Sequence, residues 1–159
     1  MKALVTYYTR TGSTKKVAES ICSSLNCDIE EIVDLKNRRG IFGFISSGYA
    51  AYRKKLTEIK APEQDASAYD LVIIGTPIWA GAMVPAVRTY LTQLKSKNAL
   101  ADRKVAFFCT MAGTDGEKVL FSLASLAGKE SAASMALATK EITEGFDAKL
   151  KGFISRAYA

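Results

Sequence analysis

The sequence predicts an α/β domain in which five parallel strands alternate with helices that cover both faces of the sheet. Three observations lead to this reading. Apolar, β-prone runs recur at residues 3–8, 69–75 and 104–109, and a continuous β-branched run such as Leu71, Val72, Ile73 and Ile74 suits a strand covered on both sides. Each run passes through a turn rich in Gly, Ser or Thr into a segment with helical periodicity. The length of 159 residues suits one domain with a core of its own.

Taken in order, residues 3–8 form the first strand and residues 9–14 its turn. Val17, Ala18, Ile21, Cys22 and Leu25 then fall on one helical face, with Ser13 or Thr14 placed to cap the helix. A second strand at 29–33 alternates apolar residues with Glu30 and Glu31, which places it nearer a sheet edge. After the strand at 69–75 comes a turn at 76–81. Pro85 then suits the first turn of a helix carrying Val87, Leu91 and Leu94. The strand at 104–109 leads through the turn at 110–116 to a helix aligning Leu120, Leu123, Ala124 and Ala127. A weak strand at 133–137 precedes a last helix with Phe146, Leu150, Phe153 and Ile154. Strand-helix alternation of this kind implies right-handed crossovers and ligands outside the carboxyl ends of the strands.

Residues 36–60 depart from the alternation. Ile41, Ile45, Tyr49, Tyr52 and Leu56 recur at roughly helical intervals but Gly40, Gly43 and Gly48 interrupt them, predicting an irregular or broken helix. The chain's formal charge is +6, and the whole excess lies here: Lys36, Arg38, Arg39, Arg53, Lys54, Lys55 and Lys60 face only Glu58, while the remainder balances. Three readings stay open for the segment: a solvated face, a docking site for an acidic redox partner, or binding to nucleic acid or an anionic membrane surface. No nucleic-acid recognition motif accompanies the charge.

The chain contains no histidine, which excludes Ser-His-Asp and Cys-His catalysis, His-bound zinc and histidine proton shuttling. Cys22, Cys27 and Cys109 are too few for a disulfide framework and point to a reducing compartment. With no apolar run long enough to span a bilayer and no secretory signal pattern, a cytoplasmic location is expected. Cys109, ending a strand, reads as a small core residue.

The first turn carries the most chemistry. An anion needs converging donors, and a tight turn entering a helix supplies backbone N–H groups and the positive end of the helix dipole. Gly12 lets the backbone close, and Thr9, Thr11, Ser13 and Thr14 add hydroxyls. The bland alternative is a polar loop with a good cap. Neither a Walker-type lysine nor GxGxxG is present, which argues against a nucleoside triphosphatase and a dinucleotide site. Arg10 either reaches the anion or points to solvent, and Asp115 either caps its helix or reaches a ligand.

Thr9, Arg10, Thr11, Gly12, Ser13 and Thr14 match the T-x-T-G-x-T phosphate loop, and here the chain resembles the flavodoxin family. The stretch Thr76, Pro77, Ile78, Trp79, Ala80 and Gly81, followed by Val84 and Pro85, resembles the second flavin loop of that family. Thr110, Met111, Ala112 and Gly113 fall where the family places another flavin-contacting loop. The resemblance implies a three-layer sandwich with strand order 2-1-3-4-5 and FMN as cofactor. Its phosphate would lie on Thr9 to Thr14, with its ring system between the other two loops. Trp79, the single tryptophan, offers a face for stacking, and Gly81 tolerates the backbone change that differential bonding to flavin N5 would need. The third loop lacks the aromatic common in the family, leaving Met111 and backbone on that side.

The cofactor carries the reaction itself, so the missing histidine presents no obstacle. The expected function is an FMN-binding, low-potential electron carrier between redox enzymes, docking partner proteins at residues 36–60. The alternatives are an NAD(P)H-dependent FMN-containing quinone or flavin reductase, and a non-redox binding module using the basic segment. A receiver domain is disfavoured, because residues 7–12 and 74–77 lack its acidic cluster and phospho-acceptor Asp.

Overall fold

The computed structural model describes residues 1–159. Its elements are β1 (Ala3–Tyr7), α1 (Ser13–Leu25), β2 (Asp28–Glu31), α2 (Gly40–Tyr52), β3 (Leu71–Trp79), β4 (Ala82–Met83), α3 (Pro85–Ser96), β5 (Lys104–Met111), α4 (Gly116–Ala127), β6 (Ala133–Ala138), α5 (Thr139–Glu144) and α6 (Asp147–Tyr158). The path across the sheet is β2-β1-β3-β5-β6, and every pairing on it is parallel. These five strands realise the predicted order. β2 lies at an edge, in keeping with its alternating glutamates.

Side chains alternate across the central strands and divide the core in two. Leu4, Val72, Ile74, Val105 and Phe107 face α3 and α4, where Val87, Leu91 and Leu123 cover them. Ala3, Val5, Leu71, Ile73 and Phe108 face α1 and α6, under Val17, Ile21 and Phe153. Gly75 is fixed by this packing: a Cβ on it would run into the Phe108 ring. Pro85 opens α3 as predicted.

Four expectations are corrected. The predicted turn at 76–81 is largely strand: β3 continues to Trp79 and folds back through Ala80 and Gly81 into β4, a sixth, antiparallel strand. Ala80 (φ 48°) and Gly81 (φ 71°) are both left-handed, as a two-residue primed hairpin turn requires. Only Gly81 advertised that conformation.

Neither Ser13 nor Thr14 caps α1. Its N-cap is Gly12, which makes no side-chain cap. The predicted broken helix at 36–60 is one continuous helix, α2, over Gly40–Tyr52. Its glycines are tolerated because Gly43 sits against the Arg38 backbone, where a Cβ would collide. A short helix, α5, precedes α6 and escaped the periodicity because it has only six residues. The Ala138 N–H donates to the Glu141 carboxylate at its start (2.9 Å).

Candidate functional site

The turns after β1, β3 and β5 lie side by side at the carboxyl end of the sheet. Consecutive strands diverge between β1 and β3, the point at which open α/β sheets form a ligand crevice. Thr14 and Thr110 tie the first turn to the third: their hydroxyl oxygens are 2.8 Å apart in a buried contact. Neither hydroxyl is turned outward.

Within the first turn, the Gly12 N–H donates to Thr9 Oγ1 at 3.0 Å, and Gly12 adopts φ 95° with open space where a Cβ would stand. α1 begins without a side-chain cap or an acidic residue in its first turn. Its leading N–H groups and dipole are therefore presented to whatever lies in front of them. Thr11 is exposed and Ser13 half-buried, leaving both hydroxyls free to add donors. This donor set, anion-ready and uncompensated by protein carboxylates, fits a phosphate.

The second turn offers surface more than donors. Thr76 is fully buried, its hydroxyl donating to the Pro77 carbonyl (2.8 Å) and accepting from the Val84 N–H (3.3 Å). Pro77, Ile78 and Trp79 are half-buried and Ala80 is exposed at the hairpin tip. On the other side of the crevice, Met111 is half-buried while Ala112 and Gly113 are open to solvent. Asp115 occupies the N-cap position of α4, but its side chain makes no capping hydrogen bond. Its carboxylate lies over Gly81, 3.3 Å from where a Cβ would stand, linking the second and third turns.

Arg10 does not simply point to solvent. Its guanidinium donates to the Arg38 carbonyl (2.9 Å) and lies 5.6 Å from the Trp79 ring and 5.4 Å from that of Phe44. Arg38 lies 5.9 Å from the same indole, and Tyr8 meets it edge-on at 5.5 Å. Asp34 fixes this corner, accepting from Arg38 Nε (2.6 Å) and Thr57 Oγ1 (2.9 Å). Asp34 and Arg38 side chains are almost entirely buried. Tyr8, Asp34 and Arg38 were not read as site residues from the sequence, because the Asp34–Arg38 pair forms in the non-helical stretch before α2, where spacing gives no pairing signal.

The cysteines carry no chemistry here. All three are free, Cys22 Sγ donates to the Cys27 carbonyl (2.6 Å), and burial pushes the Cys109 thiol up to about 12.

Against this geometry, the flavodoxin domain model matches residues 49–145, more than half the chain. The chain belongs to the flavodoxin family. Among solved structures, this flavodoxin-family chain is similar to a flavoprotein from Lactobacillus acidophilus in complex with FMN. The two are 26% identical, with 90% of this chain and 97% of that one covered and a TM-score of 0.72. Oxidised Flavodoxin 1 from Bacillus cereus shares the fold at 16% identity, covering 99% of this chain and 97% of its own, with a TM-score of 0.61. Rubredoxin oxygen:oxidoreductase from Desulfovibrio gigas also contains the fold (16% identity, TM-score 0.62), which there occupies 34% of the chain against 99% of this one. No curated protein matches the sequence.

Proposed function

We propose that this flavodoxin-family chain binds FMN and carries electrons between redox partners. The observation that carries the reading is the meeting of three turns at the carboxyl ends of β1, β3 and β5, one of them an uncapped helix start suited to phosphate. The similarity to an FMN-complexed flavoprotein supports the same cofactor.

When bound, the flavin supplies the electron chemistry itself, while the protein supplies binding, orientation and electrostatics. Ser13 and Thr14 would hold the phosphate through backbone N–H groups, with Thr11 and Ser13 adding hydroxyls and Gly12 shaping the turn. Trp79 and Ile78 would pack on one side of the ring and Met111, Ala112 and Gly113 on the other. Arg10, held beside Trp79 without a carboxylate partner, makes that side positive, while the charge of Arg38 is balanced by Asp34. Positive charge favours a reduced, more negative ligand and raises its potential. Asp115, over Gly81, works in the opposite sense.

A carrier needs a cofactor edge and a docking surface rather than a second substrate pocket. Helix α2, with basic residues flanking it and none within it, borders Trp79 through Phe44 and Arg10, and the exposed surface this places beside the cofactor edge supports the carrier reading. Anaerobic reduction of the FMN-loaded chain tests it. A low-potential chemical donor should bleach the flavin rapidly, and NADPH or NADH should do so at a negligible rate. Rapid NAD(P)H oxidation coupled to a quinone would assign the chain to the reductases instead.

A further inference from the structure

Helix α2 is amphipathic in the reverse sense to a globular helix. The residues it turns to the protein are small, Gly43, Ser47, Ala50 and Ala51. Those it turns to solvent are large and apolar: Ile41, Phe42, Phe44, Ile45, Tyr49 and Tyr52, with Phe42 90% and Ile41 79% exposed. At about 100° per residue, Ile41, Phe42, Ile45, Tyr49 and Tyr52 fall on one stripe opposite the small residues. The orientation is built in. Gly43 meets the Arg38 backbone so closely that no side chain fits, and Gly48 faces the Ala80 methyl, 4.0 Å from where a Cβ would stand. Rotating the helix would drive Phe and Ile side chains into that backbone.

The rim of this face is basic. Lys36 and Arg39 precede the helix and Arg53, Lys54 and Lys55 follow it, all exposed, and Lys55 Nζ stays 4.9 Å from the Tyr49 ring. Two charges of the segment are already committed, Arg38 to Asp34 and Lys60 to Glu63, so these five form the available set. Residues 36–57 contain no Asp or Glu.

We infer that the outward face of α2 seats in the headgroup region of an anionic membrane. Exposed apolar surface on this scale marks an interaction site. Lys and Arg flanking an apolar helix face are the pattern of a helix lying in the plane of an acidic bilayer, with Tyr suited to the interface and Phe and Ile to the region beneath it. At about 1.5 Å per residue α2 is too short to cross a hydrocarbon core of about 30 Å, so it lies on the membrane. A second copy of this chain would bring two basic rims together, which opposes self-association. An acidic protein would satisfy the rim but would have to cover six large apolar side chains in what electron transfer usually keeps a small, transient contact. Seating α2 also brings the Trp79–Ala82 hairpin near the headgroups, the edge at which an electron would leave. The inference does not depend on the cofactor.

Co-sedimentation of the full chain with vesicles tests it, using phosphatidylcholine with and without phosphatidylglycerol. The chain should bind the anionic vesicles, prefer them over phosphatidylcholine alone and be released by salt. Phe42→Ser with Ile45→Ser should lower binding about a hundredfold or more, and Arg53→Glu, Lys54→Glu and Lys55→Glu together by a similar factor, with circular dichroism unchanged. Failure to bind anionic vesicles would overturn the inference. So would binding indifferent to Phe42→Ser with Ile45→Ser, since a purely electrostatic coat needs no apolar face. A concentration-dependent dimer dissolved by the same pair would give the face to a second copy, and retention on immobilised polyglutamate without vesicle binding would give it to an acidic protein.

Discussion

Thr14 Oγ1 and Thr110 Oγ1, 96 residues apart in the chain, meet at 2.8 Å in a buried contact that joins the first turn of the candidate site to the third. Replacing one leaves the other a buried hydroxyl without a partner, a loss of about 1–3 kcal/mol, whereas replacing both removes the need for a partner. Thr14→Val and Thr110→Val should each destabilise the fold by about that amount, and the double variant by clearly less than their sum. Urea unfolding of the four-member cycle measures this.

Asp34 and Arg38 form the other anchor of the site, almost wholly buried and 2.6 Å apart. Breaking such a pair from one side strands a charge, at a cost of about 3–5 kcal/mol. Asp34→Asn should destabilise the chain on that scale. Arg38 also flanks Trp79, the single tryptophan, so the variant should shift tryptophan emission before global unfolding. An emission spectrum unchanged until the main transition would separate the pair from the Trp79 environment.

The parallel sheet was legible because its central strands are continuous apolar runs and their turns are dense in Gly and Thr. What escaped was set by tertiary contact. The hairpin after β3 depends on Ala80 accepting φ 48°, a conformation that no propensity assigns to alanine. α2 reads as broken on local glycine counts, yet Gly43 is required by the approach of the Arg38 backbone. The apolar residues of α2 were visible as a pattern, but periodicity alone does not say which face is covered. In the site, residue types pointed to the turns, while the turning inward of Thr14, Thr76 and Thr110 and the capture of Arg10 by Arg38 depend on side chains from distant elements.

The Gly81 turn yields a backbone prediction. Gly81 adopts φ 71° with the Asp115 carboxylate over it, so Gly81→Ala should cost about 1–2 kcal/mol. It should also shift the potential of bound flavin by altering the hairpin beside it. Thermal unfolding and a spectroelectrochemical titration check the two effects. A potential equal to that of the parent chain would show that the hairpin has no influence on the cofactor.

Tyr90 should govern part of the alkaline stability. Burial pushes its hydroxyl from 10.0 up to about 12, and the oxygen has no hydrogen-bond partner. The folded chain keeps this proton at pH values where the unfolded chain has lost it. The resulting stabilisation is complete below pH 10 and is lost as pH rises towards 12. Tyr90→Phe should flatten that loss and, by removing a buried unpaired hydroxyl, raise stability at neutral pH by about 1 kcal/mol. Urea midpoints taken at several pH values measure both.

The central claim is that the uncapped start of α1 holds the phosphate of FMN. Parallel fluorescence titrations with FMN and riboflavin test it most directly, since the two ligands share a ring system and differ in that phosphate. FMN should saturate at one per chain and quench Trp79 emission, and riboflavin should bind about a hundredfold more weakly, the contribution of a few charge-assisted hydrogen bonds. No FMN binding, or riboflavin bound as tightly as FMN, would contradict it.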